Sequence, residues 1–73
     1  MPGVAVRNRR TELGISQRQC ALNAGISPSL MSLIEAEKRY PSTKTLEGLS
    51  LCLRGRFVIE KGQTRFEPEE DET

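Results

Sequence analysis

Histidine is absent from the sequence, and cysteine occurs only twice, at Cys20 and Cys52. These two cysteines lie far apart along the chain and no histidine accompanies them, so the ligand spacing of a zinc site is missing. The chain also lacks a glycine-rich phosphate loop and any cluster of catalytic residue types. We therefore expect no enzymatic activity, no catalytic or metal site and no cofactor.

Long apolar runs are missing too. No stretch is long enough to cross a membrane, and no signal peptide is recognisable. These absences predict a soluble, cytoplasmic protein without a membrane partner. Both cysteines fall on the apolar faces of predicted helices, which favours buried, reduced thiols. The alternative is a disulfide or a redox switch.

The chain of 73 residues is long enough for one small domain. Domains of this size bury only about 60% of their unfolded surface, and oligomerisation often stabilises them. The net charge of +1 conceals an asymmetry. Residues 1–66 hold all eleven basic residues and five acidic ones, a net charge of +6, whereas residues 67–72 hold the other five acidic residues. The basic body is compatible with a polyanionic partner.

Two short helical patterns meet at a glycine turn in the middle of the chain. Ser16 is suited to cap a helix over residues 17–24, and together with Gln19 it forms a capping box. Gly25 follows, where a tight turn between helices requires a left-handed backbone. A helix, a short turn and a second helix are the layout of a helix-turn-helix.

The second of these helices is predicted over residues 28–36. Ser27 caps it, and Pro28 occupies its first position, where a missing N–H costs nothing. At about 100° per residue, Met31 and Ile34 share the inner face. The outward positions are Ser29, Ser32, Leu33 and Ala36.

The chain resembles the Cro/C1-type (XRE) DNA-binding domains over roughly residues 7–53. The matching positions, in register over about fifty residues, are Gly14-Ile15-Ser16-Gln17, Ala21, Gly25-Ile26-Ser27, Ile34-Glu35 and Pro41-Ser42. The resemblance implies a mainly α, compact four-helix (lambda-repressor-like) helix-turn-helix domain over residues 1–55. It also implies a palindromic double-stranded DNA operator as the partner.

The same resemblance implies which residues bind DNA. Gln17 corresponds to a family glutamine that binds a phosphate, and the basic loop after the third helix lies against phosphates. The outer face of the third helix enters the major groove, although serine and leucine replace the usual Arg, Gln or Asn. Glu35 matches a glutamate with a structural role. The expected DNA-binding residues are Gln17, Arg18, Ser27, Ser29, Ser32, Leu33, Lys38, Arg39 and Lys44.

Three further features of the helical part are predicted. A first helix spans residues 4–13, with Met1 to Gly3 disordered before it. The arginines of this helix, Arg7, Arg9 and Arg10, are either solvated or include one phosphate contact. Glu37 stands where the family usually has Gly, at a point that often needs a left-handed residue.

A fourth helix and a β segment complete the predicted fold. Ser42 caps the helix, whose apolar stripe is Leu46, Leu49 and Leu53. Residues 56–60 then read as a strand, Lys61-Gly62 as a two-residue turn and residues 63–66 as a weaker strand. This pairing sets Phe57 opposite Phe66 and Ile59 opposite Thr64.

A strand directly after the fourth helix resembles the HipB-like antitoxins, in which it pairs with its symmetry mate. That resemblance predicts a homodimer through Phe57, Val58 and Ile59 in the segment 56–66. Both faces of this strand are apolar, so each needs to be covered, and a symmetry mate could cover one of them. The alternative to a dimer is a hairpin that folds back on its own monomer. Residues 67–73 are predicted to form an acidic, disordered tail.

Two functions follow from these observations. The first is a DNA-binding repressor of its own operon, associated with the nucleoid. A more specific form of this hypothesis is that the protein is the antitoxin of a toxin–antitoxin pair. The second is a protein-interaction module that keeps the fold and binds a partner protein with little sequence-specific DNA binding. The small, apolar outer face of the third helix and the acidic tail favour the second.

Overall fold

The computed structural model describes residues 2–69, which form four helices followed by an antiparallel hairpin. The mainly helical fold class is thereby confirmed. Among the described residues, no helix has the length and apolar character needed to span a membrane. The elements are α1 (Gly3–Glu12), α2 (Gln17–Ala24), α3 (Pro28–Glu35), α4 (Thr43–Leu53), β1 (Gly55–Glu60) and β2 (Gln63–Pro68).

Serine caps begin the last three helices, as predicted. The Oγ atoms of Ser16, Ser27 and Ser42 accept backbone N–H groups of α2, α3 and α4 at 3.0, 3.1 and 3.2 Å. The reciprocal half of the predicted capping box is wrong, because the side chain of Gln19 donates to Asn23 at 3.0 Å instead. Each cap satisfies an N–H that the helix itself cannot bond.

Two glycines set the packing of α2. Gly25 ends the helix with φ 75°, in the left-handed region that glycine adopts without the penalty of a Cβ. Gly48 lies where α4 crosses the end of α2, and a Cβ there would come 2.5 Å from the carbonyl oxygen of Ala24. The absence of a side chain at Gly48 therefore permits the close approach of α4 to α2.

The apolar core lies between the four helices. Every predicted core residue of α3 and α4 is buried, as is Val6 of α1. Full burial of such a side chain contributes roughly 1.5–3 kcal/mol, so this small set supplies most of the driving force for folding. The buried apolar side chains are Val6, Cys20, Ala21, Met31, Ile34, Leu46, Leu49 and Leu53.

The two cysteines meet within this core as free thiols. Cys52 Sγ lies 3.3 Å from Cys20 Sγ, and Cys20 is fully buried. Burial, followed by the hydrogen bond with Cys52, raises the pKa of Cys20 to about 12. Since the thiolate is the reactive form, Cys20 is protonated and unreactive at neutral pH.

The C-terminal segment is a hairpin with the predicted register. Phe57 pairs with Phe66 and Ile59 with Thr64, around the turn Lys61-Gly62. Both turn residues have positive φ, 51° and 76°, as a two-residue turn between twisted strands requires. The Phe57 and Phe66 rings meet edge to face at 5.1 Å and pack against the core.

The hydrogen-bond ladder of the hairpin can be assigned pair by pair. The N–H of Glu69 donates to the carbonyl of Arg54 at 2.8 Å. Bonded and non-bonded pairs alternate in an antiparallel ladder, so the bonded pairs are 54–69, 56–67, 58–65 and 60–63. Val58 therefore uses its N–H inside the hairpin, whereas the N–H groups of Phe57 and Ile59 point outward.

The opposite face of the hairpin is charged, and this corrects two predictions. Glu67 lies in β2, where it accepts from Arg56 and Arg65 at 2.8 and 2.5 Å. These arginines lower the pKa of Glu67. The disordered tail thus does not begin at Glu67, and residues 70–73 lie outside the described part. Val58 lies among these ion pairs, so only one face of β1 is continuously apolar.

The predicted disorder at the N-terminus is also wrong for the two residues described there. Pro2 and Gly3 are both buried, and the carbonyl of Pro2 accepts the N–H of Val6 at 3.0 Å. Gly3 begins α1 against the end of α3, close to the carbonyl of Ile34. From the sequence alone, the missing side chain of Gly3 suggests a flexible backbone. In the structure, it is what permits the close contact with α3. Met1 lies outside the described residues.

Candidate nucleic-acid interface

The outward face of α3 is exposed as predicted. Met31 and Ile34 are buried, which turns the other side of the helix to solvent. Leu33 retains 40% of its surface exposed there. The exposed residues of this face are Ser29, Ser32, Leu33 and Ala36. It is a small, uncharged surface on which a DNA groove can approach the helix closely.

A partly buried ion pair holds α3 against α1. Arg10 Nε and Nη2 donate to the two carboxylate oxygens of Glu35 at 2.7 and 3.0 Å. The two side chains are only 16% and 5% exposed, and Arg10 also donates to the carbonyl of Ile15 at 3.0 Å. The hydrogen bond to Glu35 raises the pKa of Arg10. The prediction that Glu35 is structural is confirmed.

Gln17 is attached to this ion pair. Its Nε2 donates to Glu35 Oε1 at 3.3 Å, which orients the amide at the start of α2. A glutamine amide has two N–H donors, and Glu35 occupies one of them. The second remains available for an anion such as a phosphate.

The loop after α3 contains an unusual backbone conformation with a local explanation. Glu37 has φ 60°, the left-handed conformation expected at this point, although it is not glycine. Its Oε1 accepts the N–H of Val4 at 3.4 Å. A carboxylate at a helix N-terminus is favourable, so Glu37 offsets its strain by capping α1. Lys38 and Arg39 follow, both exposed.

Tyr40 connects this loop to the hairpin. Its hydroxyl is hydrogen-bonded to the hydroxyl of Thr64 in β2. No sequence pattern links these positions, because each lies in a different element. The contact fixes one end of the basic loop against the hairpin.

The basic residues fall into two groups, those that form an ion pair with an acidic side chain and those that do not. Within residues 2–69, four arginines form ion pairs: Arg9, Arg10, Arg56 and Arg65. The others form none with the described residues. Four of the others are predicted DNA-binding residues, namely Arg18 in the first turn of α2, Lys38 and Arg39 in the loop and Lys44 in the first turn of α4.

The three arginines of α1 lie in different environments. Arg10 is bound to Glu35, and Arg9 donates to the carbonyls of Leu53 and Arg54 at 2.9 and 3.4 Å. Arg9 thereby satisfies carbonyl groups at the end of α4. Arg7 alone among the three is exposed and forms no side-chain bond with a described residue. The sequence could not make this distinction, since it depends on tertiary neighbours.

The residues predicted for the dimer interface lie in three different environments. Phe57 packs on its own core, and Val58 is half-buried among the hairpin's ion pairs. Ile59 is 65% exposed. Beside it, a groove of about 230 Å³ separates β1 from α4, with Leu46 and Ser50 in its wall.

A comparison with protein-family models identified one match. The model, described as helix-turn-helix and of the XRE type, covers residues 6–56, which is more than two thirds of the chain. That span includes α2, the turn at Gly25 and α3. No curated protein and no solved structure matches the chain.

Proposed function

Because this chain belongs to the helix-turn-helix family of DNA-binding transcription regulators, we propose that it is a dimeric repressor of its own operon. The exposed face of α3, flanked by basic residues that form no ion pair with residues 2–69, is the observation that carries the proposal. Two such helices in a dimer contact half-sites about one helical turn of DNA apart. The repressor would act in the cytoplasm, on the nucleoid.

Affinity would come mainly from phosphates. Arg18, Lys38, Arg39 and Lys44 are exposed and lack ion pairs with the described residues, so DNA binding costs them no existing bond. Contacts to phosphates are independent of sequence and release counterions. The free N–H of the Gln17 amide and the hydroxyl of Ser27 are further donors.

Replacement of Arg39 by alanine should weaken binding to every duplex alike. Loss of one phosphate contact is expected to reduce the salt dependence, the slope of log K against log salt, by about one unit. Fluorescence anisotropy with a random and a selected duplex measures both quantities. If sequence preference changed while the slope stayed the same, the loop would not be a phosphate-binding element.

Base choice would come from α3. Ser29→Ala and Leu33→Ala should change preference among operator variants more than they change non-specific affinity. A good bidentate contact discriminates by about 1–3 kcal/mol, and these short side chains should lie at the low end. Equal losses on operator and random duplex, measured by competition, would contradict this assignment.

The dimer would form at the outer edge of β1. Among residues 2–69, no backbone group of β1 forms a backbone hydrogen bond outside the hairpin. The edge of β2 is less accessible, because Tyr40 bonds to Thr64 and Arg9 lies over the ring of Phe66. Exposed Ile59 and the neighbouring groove give β1 an apolar contact for a symmetry mate, which closes a two-fold interface.

Selection from a pool of random duplexes tests the proposed repressor. We expect enrichment of a near-palindrome whose half-sites lie about one helical turn apart. Enrichment of a single half-site would contradict the dimer. No enrichment above the starting pool would contradict sequence-directed binding.

A second candidate is a module that binds a partner protein and reads little DNA sequence. The observation that favours it is the outward face of α3, which has no Arg, Gln or Asn. An antitoxin would combine both functions, with the toxin as the protein partner. An adjacent toxin gene would support the antitoxin, and its absence from the operon would count against it.

A further inference from the structure

A recess between α1, α2 and α3 lies beside the exposed face of α3. Its volume is about 310 Å³, and its lining includes Ser32 and Ala36 of that face together with Gln17. Arg7 of α1 forms part of the same wall. Residues from three helices thus surround one opening next to the surface assigned to the DNA groove.

The charges around this recess leave Arg7 uncompensated. Glu35 lies in the wall but is bonded to Arg10 through both oxygens. Glu12, the acidic residue of α1, is paired with Arg9 at 3.3 Å. Arg7 has no ion pair within residues 2–69. The guanidinium is therefore free to bind an external anion.

We propose that Arg7 is a phosphate-binding residue of the DNA interface. When the outer face of α3 lies in the major groove, Ser32 and Ala36 bring the adjacent DNA backbone to the mouth of the recess. Gln17 has one N–H left for this backbone because Glu35 holds the other. A guanidinium presents a planar set of donors that matches phosphate oxygens, so Arg7 supplies the charge that Gln17 lacks.

This inference rests on the proposed DNA binding and extends it to α1. The predicted phosphate contacts otherwise come from α2, α4 and the basic loop. With Arg7, the phosphate-binding surface continues across the recess onto the first helix. It also explains why one arginine of α1 is left exposed while the other two are bound internally.

Arg7→Ala tests the inference, with Lys61→Ala as the matched control. Lys61 is an exposed cation in the hairpin turn, is not among the predicted DNA-binding residues and does not line the recess. Arg7→Ala should weaken binding to a random duplex about tenfold at low salt, as expected for one charge-assisted hydrogen bond. The salt slope should fall by about one unit. Lys61→Ala should bind like the wild type, and Arg7→Lys should keep the slope.

Equal affinities and slopes for Arg7→Ala and Lys61→Ala, with wild-type binding intact and salt-dependent, would overturn the role of Arg7 alone. Absence of salt-dependent binding by the wild type would overturn the proposed function itself. Circular dichroism melts of the variants should coincide with the wild type, because Arg7 makes no internal bond that folding needs.

Discussion

Replacement of Glu35 by alanine is expected to destabilise the domain by about 3 kcal/mol, the lower end of the cost of breaking a buried ion pair, because Arg10 and Glu35 are only partly buried. The Arg10 guanidinium would lose both of its carboxylate bonds while remaining largely shielded from water. Gln17 would lose its acceptor as well. A domain this small has little stability to spare, so much of the variant should be unfolded at 37 °C.

Glu12→Ala is the matched control for this variant. It removes the same charge from an ion pair with an arginine, but the Glu12 side chain is 66% exposed. Pairs of that kind contribute about 0–1 kcal/mol. Urea unfolding followed by circular dichroism compares the two directly. Equal free energies of unfolding for both variants would show that the Arg10–Glu35 pair does not hold α1 to α3.

Ile59→Pro is expected to convert the proposed dimer to a monomer and to weaken operator binding by about 10²–10⁴, the usual gain from linking two sites. The N–H of Ile59 points away from β2, so proline removes a donor from the outer edge and leaves the hairpin's own bonds in place. Binding to random duplex should fall much less. Analytical ultracentrifugation measures the change in mass.

Val58→Pro provides the contrast within the same strand. Its N–H bonds to Arg65 in the ladder, so proline there should open the hairpin as well as the dimer. Circular dichroism should therefore show less β-structure in Val58→Pro than in Ile59→Pro. Both variants should be monomers. An Ile59→Pro protein that remains a dimer of unchanged affinity would place the interface on the helices.

The local elements could be predicted because their signals lie close together in sequence. Serine before each of three helices, glycine after α2 and Lys61-Gly62 between two segments with strand propensity act through neighbouring backbone groups. The register of Phe57 with Phe66 followed from the length of the turn alone. Even the left-handed backbone at Glu37 could be expected, since it depends on where α3 ends.

Features that depend on distant parts of the chain could not be predicted. The partner of Glu35 could have been any arginine of α1, and only the crossing of α1 and α3 selects Arg10. Pro2 and Gly3 resemble a flexible end until α3 is packed against them. Glu67 resembles part of an acidic tail until Arg56 and Arg65 are placed beside it.

The dependence of random-duplex affinity on salt tests the central claim, that this domain binds DNA through the basic residues around α3. Arg18, Lys38, Arg39, Lys44 and the proposed Arg7 contact would release about 0.9 counterions each, which predicts a slope of about −4.5 per protomer. Titration of labelled duplex at several salt concentrations gives this slope directly. No binding at low salt, or binding without salt dependence, would contradict the claim and favour a module that binds another protein.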